Sequence, residues 1–237
     1  MIKLWLQIYF NYQIILKDLL NRIKIVFSLL KIGSFKPIIE SISTRLYSTK
    51  NFVGLEVKIN QLKNLDSKIN ITIRPFEQSD INSLKEGQRH IRLVEKKIPD
   101  CYVAAIQNNV PVYRQWLFTQ EQFEAIIDYF GQIFPEIGKD EAIIEGVFTH
   151  LDYRGLRIMP NAIYQILNQN HYSHLKRAIA FVEQNNVGSL KGFYRLGFEP
   201  YILRQEKWLF FARKISFIPL PSEIHESYLQ LNSPASN

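Results

Sequence analysis

Between Phe148 and Pro160 the chain reads Phe-Thr-His-Leu-Asp-Tyr-Arg-Gly-Leu-Arg-Ile-Met-Pro, leaving the apolar run Ala142–Thr149 and leading into the helix-period run Asn161–Asn170. A loop that leads into a helix aims several unpaired backbone N–H groups at one spot, and the helix dipole adds positive potential there. A pyrophosphate fits such a place. Arg154 and Arg157 would add guanidinium donors, and Gly155 permits unusual backbone dihedrals. Pro160 lacks an N–H and suits the first turn of a helix, so Arg154, Gly155, Leu156, Arg157, Ile158 and Met159 form the loop before it. A second stretch, Val182–Phe198, reads Val-Glu-Gln-Asn-Asn-Val-Gly-Ser-Leu-Lys-Gly-Phe-Tyr-Arg-Leu-Gly-Phe. It offers a strand end, Asn186 as a helix cap, a helix over Val187–Leu196 and Gly197 as a left-handed stop.

Together and in this order, the two stretches resemble the signature of the GNAT (GCN5-related N-acetyltransferase) superfamily, and the resemblance extends over about residues 71–213. It implies transfer of an acetyl group from acetyl-CoA to an amine, with a catalytically impaired acyl-CoA-binding or partner-binding domain as the alternative. The first stretch is similar to the family's pyrophosphate-gripping loop. Asn186 and Ser189 match positions that approach CoA near its pantetheine and thiol end, where Asn186 also reads as a cap and Ser189 as a packed residue. A backbone N–H near Phe148 or Thr149 would hold the oxyanion, with pantetheine lying where this strand splays from its neighbour. The family's strand also often carries a carboxylate that resembles a general base, a role that would fall to Glu145. Strand periodicity puts Glu145 on the same face as Thr149 unless a bulge intervenes. Glu183 is a weaker candidate on the next strand. Two departures stand out. The family's small residues after Arg154 are replaced by Arg157 and Met159, and Arg157 could either pair with a phosphate or block the loop by its bulk. The family's frequent tyrosine, which resembles a general acid for the thiolate, falls at Phe193, leaving Tyr194 either as the acid or as a core residue.

The elements around these stretches follow from periodicity and turn residues. Ile71–Phe76 reads as a short strand, and Ser79-Asp80 as the cap of a helix to about Val94. Cys101–Ile106 and Val110–Phe118 read as a hairpin about Gln107–Asn109, and Gln120–Phe130 as a helix. Ala178–Val182 reads as a strand, and Phe198–Leu203 with Trp208–Arg213 as a last hairpin. The expected class is α/β, a mixed sheet with helices on both faces in a GNAT-like acyl-CoA N-acyltransferase fold, with an extra helical N-terminal segment. Residues 1–60 are expected to be a basic extension, 61–215 the N-acetyltransferase domain, and 216–237 a loose tail. Gln107–Phe118 and Leu203–Lys207 are the expected rims of the acceptor groove.

The chain has 237 residues and a formal charge of +7, with 46% hydrophobic residues, as a folded domain requires. Residues 1–70 hold 11 Lys+Arg and 4 Asp+Glu, whereas residues 71–237 hold 18 of each. Nucleic-acid binding is therefore not expected of the main domain. Ile14–Leu30 has apolar residues at helical spacing with Lys17, Arg22, Lys24 and Lys31 between them, the pattern of a basic amphipathic helix. It could dock on the domain, form a homodimer contact or touch a membrane surface. The single Cys101 allows no internal disulfide and no multi-cysteine zinc site, and it favours a reducing, cytoplasmic setting. His171 and His174 lack a third ligand, so no metal is expected. The amine acceptor is not specified by any residue pattern.

Overall fold

The computed structural model describes residues 35–84, 93–94 and 98–232. The amphipathic helix expected over Ile14–Leu30 lies outside the described residues. The described residues contain eight strands: β1 Tyr47–Lys58, β2 Thr72–Pro75, β3 Cys101–Ile106, β4 Val110–Phe118, β5 Glu141–Thr149, β6 Arg177–Glu183, β7 Glu199–Leu209 and β8 Ala212–Pro219. Five α-helices accompany them: α1 Phe35–Leu46, α2 Phe123–Phe130, α3 Ile158–Leu167, α4 Val187–Arg195 and α5 Ser222–Leu229. The strands form one mixed sheet in the order β2-β3-β4-β5-β6-β1-β7-β8. The β5–β6 pair is parallel, and the pairs from β2 to β5 and between β6 and β1 are antiparallel. A parallel pair needs a crossover, and α3 supplies it.

Each face of the sheet carries its own apolar layer because strand side chains alternate. On one face Ile144, Ala180 and Leu55 pack with Ile163, Ile166 and Leu167 of α3 and with Leu190 and Phe193 of α4. On the other, Ile143, Ile179, Trp116 and Phe118 pack with Ile126 of α2. Cys101 packs beside this second layer, and burial pushes its thiol well above the ordinary value.

By compactness the described residues fall into two units. One is Lys50–Gln205 with the chain from Ile215 onward, and the other is 35–49 with Glu206–Lys214. The larger unit contains the sheet's core. In the smaller, the N–H groups of Phe210 and Phe211 donate to the carbonyls of Leu46 and Arg45 at 2.9 and 2.8 Å, closing the C-terminal end of α1.

Several elements differ from the sequence expectation. Residues 50–58 of β1, placed before the domain by the sequence reading, take an interior position between β6 and β7, with Phe52 paired to Glu183 and Lys58 to Arg177. Most of the helix expected from Ser79-Asp80 to about Val94 lies outside the described residues; its described start, Gln78–Asn82, is a 3-10 turn in which Asp80 receives the guanidinium of Arg74 through two 2.8 Å bonds. The last hairpin turns at Phe210-Phe211, not at Leu203–Lys207. Leu203 and Arg204 are buried within β7, so this segment cannot rim a groove. The polar run Arg204-Gln-Glu-Lys imitates a loop, but Arg204 donates to the Ile133 carbonyl at 3.0 Å and lies over the ring of Phe52 at 4.2 Å. Residues 222–229, read as part of a loose tail, form α5. Its Tyr228 is buried and donates to the Phe198 carbonyl at 2.9 Å.

Candidate active site

A cleft of about 320 Å³ opens where β5 ends and where α3 and α4 begin. Three features of the local sequence make it. First, β5 and β6 pair only from Glu141↔Arg177 to Ile144↔Ala180, although β5 runs on to Thr149 and β6 to Glu183. The strands part beyond Ile144, and Phe148 and Thr149 line the opening. Second, the loop after Thr149 folds into a 3-10 turn over Leu151–Tyr153, and Arg154 Nε donates back to the Thr149 carbonyl at 3.2 Å. Third, Gly155 and Arg157 both adopt positive φ, 78° and 60°, which swings the chain into α3. Glycine takes that conformation freely, whereas for arginine it costs about 1–2 kcal/mol.

At the start of α3 the N–H groups of Ile158 and Met159 have no partner within the helix, and Pro160 has none to offer. The Asn186 side chain caps α4 by accepting from the Ser189 N–H at 3.2 Å. Gly188 and Ser189 in the first turn of α4 also line the cleft, so two helix starts open into it. Arg154, Arg157 and Arg195 line it as well, and among the described residues no Asp or Glu does. Two helix dipoles and three guanidinium groups without a carboxylate form a site for a polyanion.

The structure brings nine of the twelve sequence-chosen residues to this cleft: Phe148, Thr149, Arg154, Gly155, Arg157, Ile158, Met159, Asn186 and Ser189. Leu156 is not among the lining; it packs beside Ala104, Tyr113 and Ala162. Met159 occupies a position where a small residue was expected, and Gly192 explains how it fits. A Cβ on Gly192 would stand 3.1 Å from the Met159 Sδ and Cε, so the thioether occupies the space that a side chain on α4 would need.

The two residues considered for proton transfer lie elsewhere. Tyr194 faces α5, with its ring 5.4 Å from that of Tyr228, and Phe193 is buried edge-on against Phe198. Neither provides an acid in the cleft. Glu145 does not share a face with Thr149, because a bulge intervenes. Thr149 pairs with Tyr113, Phe148 with Arg114 and Glu145 with Trp116, leaving Gly146 and Val147 opposite Gln115 alone. Gly146 at φ 62° makes this possible, and the Glu145 carboxylate accepts its N–H at 3.0 Å. Glu145 therefore stands with Phe148, Arg114 and Trp116 on the face opposite Thr149. There the buried Arg114 guanidinium lies 4.9 Å from the Trp116 ring centre and 5.9 Å from that of Phe148, and burial lowers its pKa.

Sequence reasoning missed Tyr153 and Arg195 in the cleft. Arg195 was legible in principle, since Gly188, Gly192 and Arg195 follow at spacings of four and three and so share one helical face. Tyr153 carried no such signal, for its direction is set by the 3-10 turn.

No protein-family model matches the chain, and no curated protein matches it in sequence. Solved structures do. The GCN5-related glucosamine N-acetyltransferase region of a fungal multi-domain GH3 β-N-acetylglucosaminidase aligns with a TM-score of 0.52 at 14% identity, over 73% of this chain and 22% of that one. The fold is the GNAT fold. A GNAT-family acetyltransferase from Colwellia psychrerythraea aligns at 0.45 and 14% identity, over 75% of this chain and 58% of its own. A GCN5-related N-acetyltransferase from Sphaerobacter thermophilus aligns at 0.47 and 12% identity, over 73% and 56%. The chain thus spans less than two thirds of each of these proteins. In the GNAT fold of this chain, the parted strands and the two helix starts lie within the larger unit, between Lys50 and Gln205.

Proposed function

We propose that the chain is an N-acetyltransferase that takes its acetyl group from acetyl-CoA and transfers it to an amine. One observation carries the reading: three arginines and two helix starts line a carboxylate-free cleft at the opening between β5 and β6. Arg154 and Arg157, with the N–H groups of Ile158 and Met159, would hold the pyrophosphate. The unpaired edge of β5 would hold the pantetheine by backbone hydrogen bonds, as a sheet edge holds a peptide. That leads the thioester to the parting of the strands at Phe148 and Thr149, where one backbone N–H would face the developing oxyanion.

The bulge at Gly146 gives this reading a direction. The donor occupies the face of α3 and α4, whereas Glu145 stands on the other face of β5. An amine arriving on that second face could lose its proton to Glu145, directly or through water, and meet the thioester through the opening. With Tyr194 turned toward α5, that tyrosine does not protonate the departing thiolate. A thiol, titrating near 8.5 in the unperturbed case, is a leaving group that tolerates this.

The test is a thermal shift of the purified chain with acetyl-CoA, with CoA and with neither, beside Arg154→Ala, followed by release of CoA thiol on an amine panel. A stabilisation abolished by the substitution, together with turnover on at least one amine, supports the reading. No shift at saturating acetyl-CoA defeats it.

A further inference from the structure

The smaller unit holds 24 of the described residues, yet seven of the twelve large hydrophobic residues exposed among the described ones belong to it. They concentrate at the β7–β8 turn, where Leu209, Phe210 and Phe211 are 54%, 77% and 55% exposed, with Leu46 and Tyr47 also exposed in the same unit. The turn itself is unusual in its chemistry. Phe210 and Phe211 both have positive φ, 44° and 65°, the pattern of a two-residue type I′ hairpin turn that Asn-Gly or Gly-Gly would normally occupy. Two aromatic residues are held there against their backbone preference, and folding alone gives no reason for them to face outward. Backbone strain kept with exposed apolar side chains marks a working surface.

Charge identifies what that surface fits. The described residues of the smaller unit, 35–49 with 206–214, contain 5 Lys+Arg and 2 Asp+Glu. These segments are therefore net basic, whereas residues 50–205 with 215–237 contain 19 Lys+Arg and 19 Asp+Glu. Around the turn itself stand Lys207 and Lys214, both exposed, and Arg213, which is paired with Glu206 at 2.7 Å and lies 5.9 Å from the Trp208 ring centre. Trp208, Phe210 and Phe211 framed by lysines is the composition of an interfacial anchor. A stable contact between two copies needs about 800 Å² from each partner. A two-residue turn offers far less, and its like charges would repel a second copy.

We propose that the β7–β8 turn, Leu209–Phe211 with Lys207 and Lys214, is a docking site for the surface of an anionic lipid bilayer. The aromatic rings enter the headgroup boundary, and the lysines meet lipid phosphate and carboxylate groups. The bonds from the Phe210 and Phe211 N–H groups to the end of α1 hold the turn in its left-handed form, so the rings are presented before the membrane is met.

The test is cosedimentation of the full chain with vesicles of phosphatidylcholine alone and with about one third phosphatidylserine. The double substitution Phe210→Asn, Phe211→Gly installs the residues that this turn type prefers and so keeps the fold while removing both rings. Lys207→Glu, Lys214→Glu removes the cations. The expected result is binding to the anionic vesicles that weakens with salt and falls about tenfold or more in either variant, with the circular dichroism and melting profile of the first variant preserved. Three outcomes would overturn the proposal: no binding by the unaltered chain, equal binding by the Asn-Gly variant, or binding indifferent to lipid charge. Sedimentation velocity supplies a further check. Self-association lost in the Asn-Gly variant, without lipid binding, would assign the turn to a second copy instead. None of these readouts depends on acetyl-CoA.

Discussion

The two faces of β5 present different side chains from the same strand. On the face of α3 and α4, Val147 and Thr149 meet helix starts and arginines, and among the described residues no carboxylate lines the space. On the other, Glu145 and Phe148 stand beside a buried arginine and Trp116. Under the proposed reading the first face holds the anionic donor and the second takes up the proton. A regular strand could not divide its residues this way, because Glu145 and Thr149 would then share a side. The single bulge at Gly146 creates the division. The strand thereby keeps the proposed base away from the phosphates, whose charge would raise its pKa.

The sharpest way to break this comparison is Glu145→Gln. Under the proposed reading it lowers kcat by roughly 100-fold to 10,000-fold on the amine that the panel identifies, while the acetyl-CoA thermal shift is unchanged. Loss of the shift would mean that the faces are not separate. The converse substitution, Arg154→Ala, weakens acetyl-CoA binding by roughly 10-fold to 150-fold, the worth of a charge-assisted hydrogen bond, as titration calorimetry would register. Asn186→Ala removes the cap of α4 and costs about 1 kcal/mol in urea denaturation, with a smaller loss of acetyl-CoA affinity. Arg157→Gly separates stability from binding. It relieves about 1–2 kcal/mol of left-handed strain but returns about 0.5–1 kcal/mol through the freer unfolded chain, so the unliganded melting point holds or rises slightly while acetyl-CoA affinity falls. The smallest effect belongs to Tyr194→Phe. With its ring against Tyr228 and outside the cleft, it should change kcat by less than about twofold, whereas a group donating a proton in the transition state would be worth a hundredfold or more.

The cleft was legible because its parts are local. A strand end, a loop and a helix start are adjacent in sequence, so the resemblance to the GNAT signature could place Arg154–Met159 and Asn186–Ser189, and the caps agree with it. What escaped depended on partners distant in the chain. The bulge that turns Glu145 away is a matter of register between β4 and β5, and nothing in Glu-Gly-Val reveals which residue stands opposite. Gly192, which makes room for Met159, has meaning only once α3 and α4 are packed. The hairpin was misplaced for the opposite reason. Arg204-Gln-Glu-Lys looks like a loop by composition, and Trp-Leu-Phe-Phe looks like a strand, yet burial of Arg204 against aromatic rings and the closing of α1 reverse both. The sheet itself was foreseeable from alternating strands and helices, but the interior place of β1 was not, since periodicity does not identify a strand's neighbour.

That place sets an order on synthesis. Phe52 pairs with Glu183, 131 positions later, so β1 leaves the ribosome long before the strand that will receive it, and β7 follows later still. Until then its apolar side chains, Val53, Leu55 and Val57, have no sheet to lie in. A nascent chain in this state has high contact order and an unpaired strand, the conditions under which folding is slow and association with other chains competes. The first strand of this fold to be made would be among the last to find its position.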